Sequence, residues 1–305
     1  MPGLTVVIVS WNVRDLLATC LRSLFVDLEQ SDLQAQVWVV DNASADGTPE
    51  MVAETFPAVR LIASEENLGF VRANNLALRQ ISDLGSPISR YIWLLNPDTE
   101  VLPGATAALL LALKADPQTG MVGPKLLYPD ASLQHSAFRF PGLIQLIFDL
   151  FPLPARLYET PLNGRYPRRL YESAQPFLIN HLLGASMMVK SAVITDVGLM
   201  DEGFFMYCEE IDWCWRMHKA CWHTYCVPAA HVIHHAGQSS GQVRVSSFVN
   251  LWTSRARLYA RHHGPNTWSL ARNLVHIGMR RRMRGASPEM TAACRQVIQA
   301  WEEIR

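Results

Sequence analysis

From residue 4 onward, short β-branched apolar runs alternate with stretches whose apolar positions recur every three to four residues. LTVVIV (4–9) is a run of the kind buried on both faces of a parallel sheet. After it, Leu16, Leu17, Cys20, Leu21 and Leu24 share one helical face. QVWVV (36–40) is a second strand and ends in DNASADGT, a loop rich in turn formers. VRLIA (59–63) is a third, followed by a loop and a helix near 70–80; YIWLL (91–95) is a fourth, with Pro103 placed where a helix can begin. This rhythm predicts an α/β fold with a mainly parallel, Rossmann-like sheet flanked by helices.

Between about 125 and 180 the periodicity gives way to segments rich in proline and aromatics (LLYPD, FRFPG, FPLPARLY, RYPRRLY). These read as long loops with one helix, GLIQLIFDLF (142–151), which packs on the core or presses into a membrane interface. The pattern returns with strand-like LLGASMMVK (182–190) and helix-like EEIDWCWRMHKA (209–220). After Gly241 the chain reads as helical and basic, which divides it into a unit spanning 1–240 and an extension spanning 241–305. No internal repeat or low-complexity linker is visible.

In sheets of this kind ligands bind at the carboxyl ends of the strands. Polar residues gather at those ends: Ser10 and Asn12 after the first strand, Asp41 and Asn42 after the second, Asn67 after the third, Asn96 and Asp98 after the fourth. In WLLNPDTE, Pro97 restricts the backbone just before Asp98. A carboxylate held there suits a hard cation such as Mg²⁺ or Mn²⁺ that also binds phosphate oxygens, and Asn-Pro-Asp is equally a turn former. Asp41 can accept from a nucleobase imide or a ribose hydroxyl, or make an Asx-turn. Glu209, Glu210 and Asp212 open a helix, where the positive end of the backbone dipole favours carboxylates.

The composition narrows the class. With 305 residues, 49% of them hydrophobic, and a formal net charge of zero, the chain suffices for one large domain or a domain with an extension. The neutral total hides an asymmetry. Residues 1–212 hold 24 acidic against 14 basic side chains, whereas 213–288 hold eleven Lys or Arg and no acid. Within 247–263, Phe248, Leu251, Trp252, Leu258 and Tyr259 form an apolar helical face with Arg255, Arg257 and Arg261 around it, and HIGMRRRMRG (276–285) follows. This reads either as a membrane-surface segment or as a packed helix with a solvated basic face; no nucleic-acid-binding motif is present. MPGLTVVIVSWN lacks a basic n-region, its apolar run is short for a signal peptide, and no run reaches the roughly 18 to 20 apolar residues of a membrane span. A cytoplasmic protein is expected, in peripheral contact with the cytoplasmic face of the membrane on the first of those two readings of the basic segment. The six cysteines, Cys20, Cys208, Cys214, Cys221, Cys226 and Cys294, are expected as free thiols; four lie near His223, His231, His234 and His235, but their spacing matches no common structural zinc motif.

Taken in order, VVIVSWN, VVDNASADGT, NLGFVRANNLAL, WLLNPDTEV, LLGASMMVKSAVITDVGLMDEGFFMYCEEIDWCWR and HVIHHAGQSS resemble the inverting family 2 glycosyltransferases of the GT-A fold, in the rhamnosyltransferase-like branch that builds bacterial cell-surface polysaccharides. The resemblance covers roughly residues 4–240. It implies that Asp41 reads the base of a nucleotide sugar, with Ser10 and Asn12 lining the same pocket. It puts Asn74 and Asn75 near the diphosphate; many relatives carry an arginine where Asn74 stands, and Arg72 is a neighbour able to compensate. Asn96-Pro97-Asp98 takes the place of an Asp-x-Asp metal motif, leaving Asp98 as the main protein ligand of Mg²⁺ or Mn²⁺. His234 matches a histidine that completes the metal site in some relatives, with His231 and His235 as competitors.

The family's catalytic base falls on Glu210, where relatives usually carry aspartate, and Glu209 stays open as the alternative. Gly184 and Ala185 give a sugar close access to backbone or simply pack tightly, and Trp213 either stacks on the acceptor or lies in the core. The implied activity is hexosyl transfer from a nucleoside-diphosphate sugar, dTDP-rhamnose first and a UDP-hexose second, to a glycan or lipid-linked acceptor. A sugar nucleotidyltransferase would need a Gly-rich basic loop near the N-terminus that VSWNVRD does not provide; a non-catalytic nucleotide-sugar-binding protein is the other alternative.

Overall fold

In the computed structural model, residues 3–83, 89–237 and 243–304 are described. The anticipated boundary at 240/241 and the Gln238–Ser239 end of the HHAGQS motif lie outside them. The first strands are β1 (Leu4–Ser10), β2 (Ala35–Asp41), β3 (Arg60–Ala63), β4 (Tyr91–Leu95), β5 (Thr99–Val101) and β6 (Thr119–Leu127). The later ones are β7 (Leu133–Gln134), β8 (Ala137–Phe138), β9 (Phe177–Ile179), β10 (His181–Leu182), β11 (Ser186–Lys190) and β12 (His223–His234). Between them run helices α1 (Arg14–Gln30), α2 (Thr48–Thr55), α3 (Gly69–Asp83), α4 (Ala105–Ala115), α5 (Leu143–Leu150), α6 (Arg168–Glu172), α7 (Ser191–Val197) and α8 (Glu209–Lys219). Three longer helices follow β12: α9 (Arg244–His262), α10 (Pro265–Met283) and α11 (Pro288–Glu303).

The main sheet runs β3-β2-β1-β4-β11-β6-β12-β5. Its first half, β3-β2-β1-β4, is parallel throughout, as is the β6–β12 pair. Parallel strands buried on both faces need continuous apolar sequence, and in β1 and β4 every residue except Val9 is buried. The strand-like reading of 182–190 anticipates β11 but not its direction: it enters antiparallel between β4 and β6. That reversal decides the site. Because β11 runs backwards, its amino end, with Gly184 and Ala185 just before it, lies beside the carboxyl end of β4, and Asn96 donates its backbone N–H to the Ala185 carbonyl at 2.9 Å.

Helices α1, α2 and α4 cover one face of the sheet, and α3, α7 and α8 the other. A third apolar cluster joins α5 to α9, α10 and α11 through Leu146, Trp252, Tyr259, Val275, Val297 and Trp301. The 142–151 segment thus packs inward through Leu146 and Phe148, while Ile144 stays exposed. Among the described residues no helix is long and apolar enough to cross a membrane.

Candidate active site

Ser10 and Asp41 end β1 and β2 as register partners. Asp41 Oδ2 accepts from the Ser44 N–H at 2.9 Å, whereas its Oδ1 and the Ser10 Oγ are buried without a hydrogen-bond partner. Buried polar atoms are rarely left so, and an unmet acceptor beside an unmet hydroxyl suits a ligand's N–H or O–H. Asn12, at φ +52°, ties this lip to the next loop: its N–H donates to Ser44 Oγ at 2.9 Å and its Oδ1 accepts from the Ala45 N–H at 2.8 Å. Asn42 Nδ2 donates to the Gly69 carbonyl at 3.2 Å, and Asn67 Oδ1 accepts from the Gly69 N–H at 2.9 Å. Gly69 has φ +74°, and a Cβ there would stand 2.6 Å from the Phe205 carbonyl oxygen, so only glycine fits.

The asparagines of α3 serve the fold around this loop. Asn74 Nδ2 donates to the Phe70 carbonyl at 2.8 Å; Asn75 Nδ2 donates to the Met200 carbonyl at 2.9 Å and to Glu202 at 3.1 Å. Neither lines the cleft described below, and Arg72 is exposed on α3, its charge acting on Glu202.

At the end of β4, Asp98 is buried beside His234 at the end of β12, a meeting imposed by the β5–β12 ladder that pairs Thr99 with His234. His234 Nε2 lies 3.4 Å from Asp98 Oδ1, long for a hydrogen bond. Two ligands at right angles on one Mg²⁺, each about 2.1 Å from it, stand about 3 Å apart. His234 Nδ1 lies 2.9 Å from Gln134 Oε1, and with its proton donated there the Nε2 lone pair faces Asp98. His235 instead pairs with Glu100 at 2.6 Å, and His231 does not line the cleft. Among the described residues no group of three or more His, Cys, Asp or Glu side chains could hold a metal. The Asp98–His234 pair therefore fits a cation that takes its remaining ligands from phosphate and water, as Mg²⁺ commonly does.

Across from this corner, α8 begins at Glu209. Tyr207 and Cys208 precede it at φ +71° and +66°, a left-handed pair without glycine. Such backbone costs of order 1–3 kcal/mol per residue and clusters at functional sites. Its effect here is to bring Met206, Tyr207, Glu209 and Glu210 into the cleft together. Both glutamates keep one carboxylate oxygen buried without a partner. Burial pushes the Glu210 carboxyl up to about 7. Burial, reinforced by the Glu210 charge, raises Glu209 well above the usual carboxylate range. The Glu210 side chain lies over Gly184, where an added Cβ would be 3.7 Å from its Cγ.

The resulting cleft has a volume of about 240 Å³. Of the residues anticipated from the sequence, it gathers Asn42, Asn67, Asn96, Asp98, Gly184, Ala185, Glu209, Glu210 and His234. Trp11, Phe70, Leu183, Met206 and Tyr207 also line it, and sequence reasoning does not single them out. Trp11 and Phe70 sit inside the SWN and NLGF motifs, so position in the motif is the available signal. Trp213 does not reach the cleft. It is fully buried, and its Nε1 donates to the Gly198 carbonyl at 3.0 Å.

Asp212 also turns away from the cleft. Arg216 Nε approaches one of its oxygens at 2.8 Å, and His262 Nε2 (2.8 Å) and Arg261 Nη1 (3.3 Å) approach the other. Burial alone would raise its pKa; hydrogen bonds from His262 and Arg216 outweigh that and hold it below the usual value. Because Arg261 and His262 of α9 converge on this carboxylate, α9 braces α8, and Ser254 Oγ donates to the Met206 carbonyl at 2.8 Å. Breaking a buried pair strands its partner charge. Asp212→Ala is expected to lower unfolding stability by about 3–5 kcal/mol, read as a shift of the urea midpoint at unchanged slope; a midpoint equal to the parent's would contradict the brace.

Residues 5–163 match the model of glycosyl transferase family 2. The chain is 33% identical over 297 residues to the N-acetylglucosaminyl-diphospho-decaprenol L-rhamnosyltransferase of Mycobacterium tuberculosis (strain H37Rv), covering 92% of this chain and 94% of that one. It is 27% identical over 172 residues to the rhamnosyltransferase WbbL of Escherichia coli (strain K12), covering 55% and 61%. Among solved structures, GalNAc-T7 with UDP, GalNAc and Mn²⁺ superposes with a TM-score of 0.61 at 15% identity, over 100% of this chain and 56% of that one. The mannosyltransferase PcManGT of Pyrobaculum calidifontis, in complex with GDP-Man and Mn²⁺, gives 0.54 at 15% identity, over 99% and 86%. These two likenesses carry the fold. With the family match spanning more than half the chain and a relative of this identity aligned along nearly all of it, the chain belongs to glycosyltransferase family 2.

Proposed function

We propose that this glycosyltransferase moves L-rhamnose from dTDP-rhamnose to a hydroxyl of an amino sugar carried on a polyprenyl diphosphate, with inversion at the anomeric carbon. The observation that carries the catalytic reading is the meeting, in one cleft, of the Asp98–His234 pair and the Glu209–Glu210 pair. The choice of donor and acceptor rests on the mycobacterial relative, named for decaprenol-linked N-acetylglucosamine and L-rhamnose. Asp41 and Ser10 would accept from and donate to the nucleoside. Asp98 and His234 would hold Mg²⁺ or Mn²⁺; once bound, that ion would neutralise charge developing on the departing diphosphate.

Glu210 serves as the base. An acceptor hydroxyl ionises far above neutrality and needs a proton acceptor within hydrogen-bond reach as it attacks. A carboxylate with a pKa near 7 is matched to that task, while burial and the neighbouring Glu210 charge favour the protonated form of Glu209 beside it. The attacking oxygen forms its bond to the anomeric carbon as the bond to the diphosphate oxygen breaks, and the proton passes to Glu210. A single displacement needs no covalent sugar–enzyme intermediate.

Incubating the protein and MgCl₂ with a short-chain polyprenyl-diphospho-N-acetylglucosamine and either dTDP-rhamnose or a UDP-hexose tests this directly. Mass spectrometry is expected to show a deoxyhexose added from dTDP-rhamnose. Transfer only from the UDP-hexose would overturn the donor assignment.

A further inference from the structure

Two groups of arginines in the C-terminal helices sit in contrasting settings. On α9, three are spent internally: Arg255 pairs with Asp149 at 2.8 Å, Arg257 with Asp201 at 3.5 Å, and Arg261 with Asp201 and Asp212. The amphipathic face seen in residues 247–263 is thus a packed one. At the end of α10 the setting is different. Arg280, Arg281, Arg282 and Arg284 are exposed, and none pairs with a carboxylate among the described residues. Leu270 and Ile277, two turns apart on the same helix, are 54% and 57% exposed. At about 100° per residue, Leu270, Ile277, Arg280 and Arg281 share roughly 100° of arc, while the opposite side of α10 is buried against α9 and α11.

We infer that this outer face of α10 is a docking surface for an anionic lipid bilayer. Isolated exposed leucines need no explanation. Here two apolar side chains protrude beside three guanidinium groups without carboxylate partners, those of Arg280, Arg281 and Arg284, in a stretch (213–288) that contains no acid; Arg282 points to the packed side, over the Phe248 ring at 4.7 Å. That combination is what binds in the headgroup region: the apolar tips enter the acyl boundary and the charges meet lipid phosphates. A groove of about 310 Å³ between Leu150 and Arg281, Arg282 and Arg284 adds a basic recess at the same end. The surface depends on neither donor nor acceptor chemistry, although a lipid-linked acceptor, as proposed above, would be met in the same plane.

Co-sedimentation of the full chain with vesicles, in the absence of donor and acceptor, tests it apart from the transfer reaction. Binding to phosphatidylcholine vesicles containing phosphatidylglycerol is expected, weakening as salt rises, with little binding to phosphatidylcholine alone. The triple variant R280Q/R281Q/R284Q is expected to reduce partitioning by about 100-fold at low salt, and L270S/I277S to reduce it without changing the charge. Neither variant touches a buried side chain, so melting temperature and transfer to a water-soluble acceptor analogue are expected to stay near the parent's. Failure of the parent to bind phosphatidylglycerol vesicles, binding indifferent to lipid charge, or variants that bind like the parent would overturn the assignment.

Discussion

Glu210→Gln is expected to slow rhamnosyl transfer by about 10²- to 10⁴-fold, the usual worth of a positioned general base, while nucleotide affinity stays close to the parent's. The amide keeps the shape of the side chain over Gly184 and removes only the capacity to take a proton. In the parent, transfer should rise with pH through about 7, since the base acts only when ionised. Stability should move the other way. With its folded pKa raised above the unfolded value of about 4.3, the Glu210 carboxyl contributes fully below that pH, and the contribution is lost as pH rises through about 7. The Gln variant is therefore expected to melt above the parent at pH 8 although it is nearly inactive. A variant that turns over at the parental rate, with the parental pH profile, would remove Glu210 as the base and leave Glu209 to be tested in the same way.

The second large effect is expected at Asp98. Asp98→Asn keeps the size and the turn after Pro97 but removes the charge. Its consequence should appear first in binding: Mg²⁺ or Mn²⁺ should tighten dTDP binding to the parent and no longer do so in the variant. Turnover should drop by about 10²- to 10³-fold, as when a preorganised electrostatic partner of the developing charge is removed. Because Asp98 Oδ1 stands 3.4 Å from His234 Nε2, His234→Gln should weaken the same cation dependence to a smaller degree. Cation-stimulated nucleotide binding that persists in Asp98→Asn would contradict the assignment.

Much of this site was legible in the sequence, and the limits have physical causes. The parallel half of the sheet could be read because strands buried on both faces announce themselves as β-branched runs, and the polar lip at Ser10, Asp41 and Asn96 follows from where those runs stop. The pairing of β11 could not. LLGASMMVK looks the same whichever way it runs, yet only the antiparallel direction brings Gly184 beside Asn96. The His234–Asp98 approach is likewise a matter of register between β12 and β5, distant from each other in the chain, which no local pattern encodes. Acidic residues at a helix start share one local signature whatever they do. Structure separates Glu209 and Glu210, aimed into the cleft, from Asp212, fastened to His262 and Arg216. Amphipathic patterning in 247–263 identified a helix with an apolar stripe, but whether its arginines faced water or carboxylates depended on Asp149 and Asp201, far away in sequence.

A crystal structure with dTDP and Mn²⁺ bears most directly on the reading as a whole. The anomalous peak of the ion is expected within about 2.0–2.3 Å of Asp98 and His234, with the nucleoside against Asp41 and the open side of the ion toward Glu210. A nucleotide seated on another face, or an ion that ignores Asp98, would contradict it.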